Sequence, residues 1–258
     1  MASVIDAIRT VFTSKYAIFK LVTIGLILAF PLHQISMVKF TGWTSPMSLT
    51  AIAALIFYVG YLVYSAHNYI NERYILLPSF INPFKIFLAG LGSVIAVGPI
   101  ITVMIYVGYC LNIIFANKGF ALPVSITGIV MIELVLFGVF AAQMTLFASN
   151  FNPFKAYHLI QVFKLFPDYA LKTIGLTFGL LIFSGVLLTP LGFLAQMMFG
   201  FDIVFFCTMV VFATVLLSLV FQYFSQCYVE MMVVSRSVEY NSEIASVKDA
   251  DLLDDNKI

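Results

Sequence analysis

The sequence predicts an all-α, polytopic integral membrane protein with six transmembrane helices and both termini in the cytoplasm. Three observations carry that reading: the composition, the lengths of the apolar runs, and the sidedness of Lys and Arg. Of the 258 residues 62% are hydrophobic and 10% charged, whereas an ordinary soluble domain is about half apolar and about a quarter charged. A soluble fold keeps polar groups on its exterior, while a chain solvated by lipid needs them only in loops or cavities. A net charge of +1 leaves no electrostatic footprint for nucleic acid and no broad basic face for anionic lipid heads.

About 20 mostly apolar residues are needed to cross about 30 Å of hydrocarbon. Six runs qualify, at about 17–38, 48–66, 86–115, 123–149, 173–197 and 203–229, and they make up a single membrane domain over 17–235. In front of it, segment 1–16 places Val4, Ile5, Ile8, Val11 and Phe12 on one helical face and Asp6, Arg9, Thr10 and Thr13 opposite, the pattern of a helix lying in the interface. The first run follows Arg9 and Lys15 and lacks a small-residue cleavage site, so it reads as a retained span and not as a removed signal peptide. Trp43 falls in the outer loop before the second run, at the headgroup level such rings favour. The third run, at about 45 Å of helix, either tilts or begins as an interfacial turn, and Gly98-Pro99 predicts a kink in it.

Glu133 stands deep inside the fourth run. Ahead of the fifth, Leu159, Ile160, Phe163 and Phe166 against His158, Gln161 and Lys164 predict a second surface helix over 155–166, and Thr189-Pro190 predicts a kink further on. Gly90, Gly92, Ser93, Ala96, Gly98 and the Gly175 to Gly179 GxxxG are expected to let helices approach closely. After the sixth run, 236–258 carries Glu239, Glu243, Asp249, Asp251, Asp254 and Asp255 against Lys248 and Lys257, the composition of a disordered cytoplasmic tail.

Orientation comes from the bases, because short loops rich in Lys and Arg stay on the cytoplasmic side. With these boundaries Arg9, Lys15, Lys20, Arg73, Lys85, Lys155, Lys164, Lys172, Arg236, Lys248 and Lys257 share one side, leaving only Lys39 and Lys118 on the other. Moving one boundary would scramble that alternation. Within the inner loops Ile81-Asn82-Pro83-Phe84-Lys85 is echoed by Phe151-Asn152-Pro153-Phe154-Lys155, and Asn before Pro suits an N-cap and first helical position. A second echo pairs Tyr16-Ala17-Ile18 with Tyr169-Ala170-Leu171; together they raise the idea of three repeated hairpins, although the two echoes are out of register.

Polar chemistry inside the spans is sparse. An ionisable group near mid-bilayer costs several kcal/mol if charged and lipid-facing, which makes Glu133 the candidate intramembrane functional residue. Its candidate polar neighbours are Asn112, Gln143, Thr189, Gln196 and Gln222, and a hydrogen-bonded neutral carboxyl is the plainer reading of it. His33, His67 and His158 have no second His or carboxylate at ligand spacing, so they read as interfacial residues and not as metal ligands. Cys110, Cys207 and Cys227 lie in apolar runs without CxxC spacing and read as packing residues, with a Cys110–Cys207 bridge the lesser alternative. No P-loop, GxGxxG, HExxH or GxSxG motif occurs. The expectation is a non-enzymatic multi-pass component, with no cofactor and no metal, whose partners are the lipid bilayer and other membrane proteins or a second copy, set in a bacterial inner membrane or other plasma membrane. The alternative is a small-solute transporter or channel subunit using Glu133 as a buried titratable site; an intramembrane lipid-modifying enzyme ranks third.

Overall fold

The computed structural model describes residues 3–37, 46–71, 77–117, 122–183, 197 and 203–255, with side chains followed to 176 in the sixth helix and to 233 in the last. Among the described residues the regular structure comprises seven α-helices and one 3₁₀ turn, and no strand occurs. They are α1 (Val4–Thr13), α2 (Ala17–Met37), α3 (Pro46–Ile70), α4 (Pro83–Asn117), α5 (Leu122–Asn150), the 3₁₀ turn (Pro153–Tyr157), α6 (Leu159–Phe183) and α7 (Ile203–Asp255). Among the described residues four stretches are long and apolar enough to cross a membrane: Ser48–Ile70, Pro83–Phe115, Thr127–Asn150 and Val204–Val233. Counting the bent pair α1–α2 as one broken span brings the number to five. The architecture is that of a helical membrane protein. The expected span at 173–197 begins in α6 and then passes outside the described residues.

Local chemistry sets the helix ends. The Ser3 hydroxyl accepts the Asp6 N–H at 3.0 Å and donates to the Asp6 carboxylate at 2.6 Å, a reciprocal N-terminal cap that starts α1. The chain then turns by 92° at Ser14–Tyr16, with Tyr16 in the left-handed region at φ 58°. Both Asn-Pro-Phe-Lys echoes form the same turn: the Lys85 N–H reaches the Asn82 carbonyl and the Lys155 N–H the Asn152 carbonyl, each at 3.2 Å. They then diverge. Pro83 opens a 35-residue helix, whereas Pro153 opens a 3₁₀ turn of five residues closed by His158.

Several expectations need correction. The separate surface helix at 155–166 does not exist as such, because α6 runs unbroken from Leu159 through Pro167 to Phe183. Its buried face is Val162, Leu165, Tyr169, Thr173 and Leu176, while Ile160 and Phe163 point outward, each 66% exposed. In α1 the buried residues are Ala7 and Val11, leaving Ile5, Ile8 and Phe12 exposed. The second echo is not structural either: Tyr16 is an exposed bend residue and Tyr169 is fully buried inside α6. Gly175 has open space where a Cβ would sit, so the GxxxG brings no neighbour close at that position. Beyond the sixth expected span α7 continues to Asp255, and no Gly or Pro interrupts 203–255.

In lipid, helices associate through close van der Waals packing more than through apolar burial. α3 is the hub, in contact with α2, α4, α5 and α7. It meets α4 backbone to backbone: a Cβ on Gly60 would lie 1.9 Å from the Ile86 carbonyl oxygen, and one on Gly90 2.0 Å from that of Ile56. Either glycine replaced by alanine would force the two helices apart. Tyr58, Tyr61 and Leu62 of α3 join Leu21, Ile24 and Leu28 of α2 in one core, and Val63 and Ala66 join Ala96, Val97, Met144 and Phe147 in another. A third core links α5, α6 and α7 through Ala142, Leu165, Tyr169 and Phe224.

Candidate functional site

Glu133 lies half-buried on α5 with its carboxylate against α4. Room for it exists because residue 108 is glycine; a Cβ there would lie 2.9 Å from Glu133 Oε1. Around it on α5, Val130, Met131, Ile132 and Val135 are exposed, the outward-facing apolar surface of a span. Glu133 therefore faces a helix groove. Among the described residues, the polar side chains expected as its neighbours do not gather there. Asn112 sits one turn beyond Gly108 on α4 and is exposed. Gln143 is ten residues along α5, about 15 Å by helix rise, and Gln222 is buried in α7. Thr189 and Gln196 lie outside the described residues. No hydrogen bond joins Glu133 to another described residue.

Two rows of buried polar groups lie elsewhere, on the facing elements α3 and α7. Along α3, Tyr58, Tyr61, Ser65 and Asn68 are buried at intervals of three and four, and along α7 so are Thr214, Ser218, Gln222 and Ser225. The α7 hydroxyls turn back to their own helix: Thr214 to Val210 O (2.8 Å), Ser218 to Thr214 O (2.9 Å) and Ser225 to Phe221 O (2.7 Å). Tyr61 Oη and Gln222 Nε2 are buried with no hydrogen-bond partner among the described residues. The spacing was visible in the sequence as helical-period polar residues in apolar runs, a signal a search centred on Glu133 passes over.

The segments expected on the inner side are tied together. Lys20 Nζ donates to the Leu77 carbonyl at 2.8 Å and Leu77 N–H donates to Ser14 Oγ at 3.3 Å, so one buried residue holds the α1–α2 bend. With its amide nitrogen toward the Ser3 carbonyl (3.3 Å) and its oxygen toward the Ala7 N–H (3.2 Å), Gln226 of α7 holds α1 by its backbone. Lys172 and Glu230 approach to 3.9 Å, half-exposed, a pair worth little in that setting. The Tyr157 hydroxyl donates to the Ile95 carbonyl. That carbonyl is the one left without its helical donor by Pro99, four residues on, which has no N–H. The 3₁₀ turn is thus pinned to the proline site of α4.

Beside this anchor lies a cleft of about 480 Å³ lined by Tyr64 and His67 of α3, Lys85, Leu88, Ala89 and Gly92 of α4, and Phe147 and Phe151. His67 Nδ1 lies 2.6 Å from the Ala148 carbonyl, a contact that needs the ring proton on Nδ1. Its ring stacks on Phe151 with centroids 4.1 Å apart and Phe151 tilts against Tyr64 at 5.4 Å, an arrangement reached through left-handed backbone at Phe151, φ 54°. His33 packs edge-on to Phe206 at 5.4 Å, and His158 is the exposed cap of the 3₁₀ turn. Among the described residues no three His, Cys, Asp or Glu side chains come together as a metal site would require, and the three cysteines are free thiols. Compared with known proteins, the chain matches no family model, no curated protein and no solved structure.

Proposed function

We propose that the protein is a non-enzymatic multi-pass membrane component that works through contacts with lipid and with protein partners. In this reading six spans place both termini in the cytoplasm of a cell with a bacterial inner membrane or other plasma membrane. The observation that carries it is apolar surface beyond the ends of the spans. Ile81, Phe154, Ile160 and Phe163, together with Ile5, Ile8 and Phe12 of α1, are exposed on the segments that the basic residues assign to the inner side. Soluble loops do not keep so many large apolar side chains in water; such patches mark contact with membrane or partner. Capture from native membranes in mild detergent, followed by mass spectrometry of protein and lipid, is expected to recover the chain with a reproducible lipid or protein companion. A monodisperse monomer carrying neither overturns the proposal.

A second reading, a small-solute transporter or channel subunit, draws on the carboxylate of Glu133 beside Gly108. Proteoliposomes that show pH-dependent flux and lose it with Glu133→Gln would support it. Unchanged flux in that variant removes the residue from the mechanism.

A further inference from the structure

The cleft between α3, α4 and the end of α5 has a polarity gradient. At one end stands Lys85, exposed and with no ion-pair partner among the described residues. Lys85 sits in the first turn of α4, where a cation opposes the helix dipole instead of complementing it, so the two positive ends add and favour an anion. Towards the other end the walls become Leu88, Ala89, Gly92 and Phe147. From Lys85 to Gly92 is seven residues, about 10 Å along the helix. No lining residue is an acid, so nothing there would pair with the ammonium of a zwitterionic headgroup. One face of Phe151 and one of His67 are stacked on each other. The volume of about 480 Å³ is within the range of sites that take small organic ligands.

We infer that this cleft is a binding site for one anionic phospholipid, its phosphate on Lys85 and the start of an acyl chain along Leu88, Ala89 and Gly92. The inference rests on the reading of the chain as membrane-spanning and names one lipid partner that the proposed function leaves open. Two packed anchors hold the site open: the His67–Ala148 bond from α3 to α5, and the Tyr157–Ile95 bond from the 3₁₀ turn to α4.

The test is native mass spectrometry of the purified, delipidated full chain titrated with phosphatidylglycerol, with phosphatidylcholine and with inorganic phosphate. The wild type is expected to take one phosphatidylglycerol about tenfold more tightly than phosphatidylcholine. Lys85→Glu is expected to erase that difference, since one base near the surface alone contributes about fivefold and its reversal more. Leu88→Trp, which fills the cleft without changing charge, is expected to weaken binding as well, and it serves if the charge reversal fails to fold. Lys155→Glu, exposed and outside the cleft, is expected to bind as the wild type. Equal affinity for both lipids, or wild-type preference in Lys85→Glu and Leu88→Trp, overturns the inference, and inorganic phosphate displacing the lipid at equal concentration makes it a free-anion site instead. Carbonate extraction of the chain from membranes would sink the membrane reading itself; a chain that stays in the bilayer but shows no lipid preference sinks only this site.

Discussion

Pro99 and Tyr157 form a pair that neither residue explains alone. Pro99 takes a donor out of α4, and the carbonyl it orphans receives a phenol from a turn 62 residues away. Tyr157→Phe is expected to lower stability in detergent by about 1 kcal/mol, the usual net worth of such a bond, read as a lower thermal unfolding midpoint. In a Pro99→Ala background the backbone N–H restored at that position would satisfy Ile95, so the same tyrosine change should cost close to nothing. A double-mutant cycle that shows additive penalties would mean the two residues act independently. Gly108 and Glu133 are a milder pair. Since the contact is with the far end of a flexible side chain, Gly108→Ala is expected to displace the carboxyl at a cost below about 1 kcal/mol, whereas Gly60→Ala, which meets backbone, should cost several times more in the same assay.

At the scale of elements, α1 and the 3₁₀ turn show how little apolar face a membrane protein commits to its own core. α1 buries Ala7 and Val11 on α7 and presents Ile5, Ile8 and Phe12 outward after a 92° turn. If α2 crosses the bilayer, that turn lays α1 in the interfacial plane. A Phe12→Trp reporter in a Trp43→Phe background is expected to be quenched most by bromines near the headgroup end of the acyl chains. Strongest quenching from mid-chain bromines would place α1 deeper, and none would place it in water. The amphipathic patterns of 1–16 and 155–166 marked faces for the membrane interface, and in both helices the protein contact is made by other residues for the most part: Ala7 beside Val11 in α1, Val162 and Leu165 in α6. Ile160 and Phe163 are exposed on α6, which turns Val162, Leu165 and Tyr169 inward, with Tyr169 Oη 3.1 Å from Thr145 Oγ1 and 3.2 Å from the Phe224 carbonyl.

Across the whole molecule, α3 touches α2, α4, α5 and α7, so its rotation sets which side chains it offers to each of them. The six-span topology predicts that cysteines placed at positions 43 and 73 are labelled from opposite sides of sealed vesicles, with 73 and 164 on the same side. Labelling of 43 and 73 from one side would break the alternation of bases on which the orientation stands. By itself the sequence determined the membrane class, the helical content and the approximate limits of most helices. These follow from local quantities: an apolar run long enough for the bilayer, an Asn-Pro start, a cluster of Lys and Arg. Tertiary structure alone decided that Glu133 meets Gly108 and hydrogen-bonds to none of its expected partners among the described residues, that Tyr157 completes Ile95, and that Lys85 faces a cleft. In water a helix announces its buried side by an apolar stripe, but lipid is as apolar as a neighbouring helix, so a span carries almost no mark of which way it turns. Rotation and crossing are then set by where glycines admit another backbone and where polar side chains find one another.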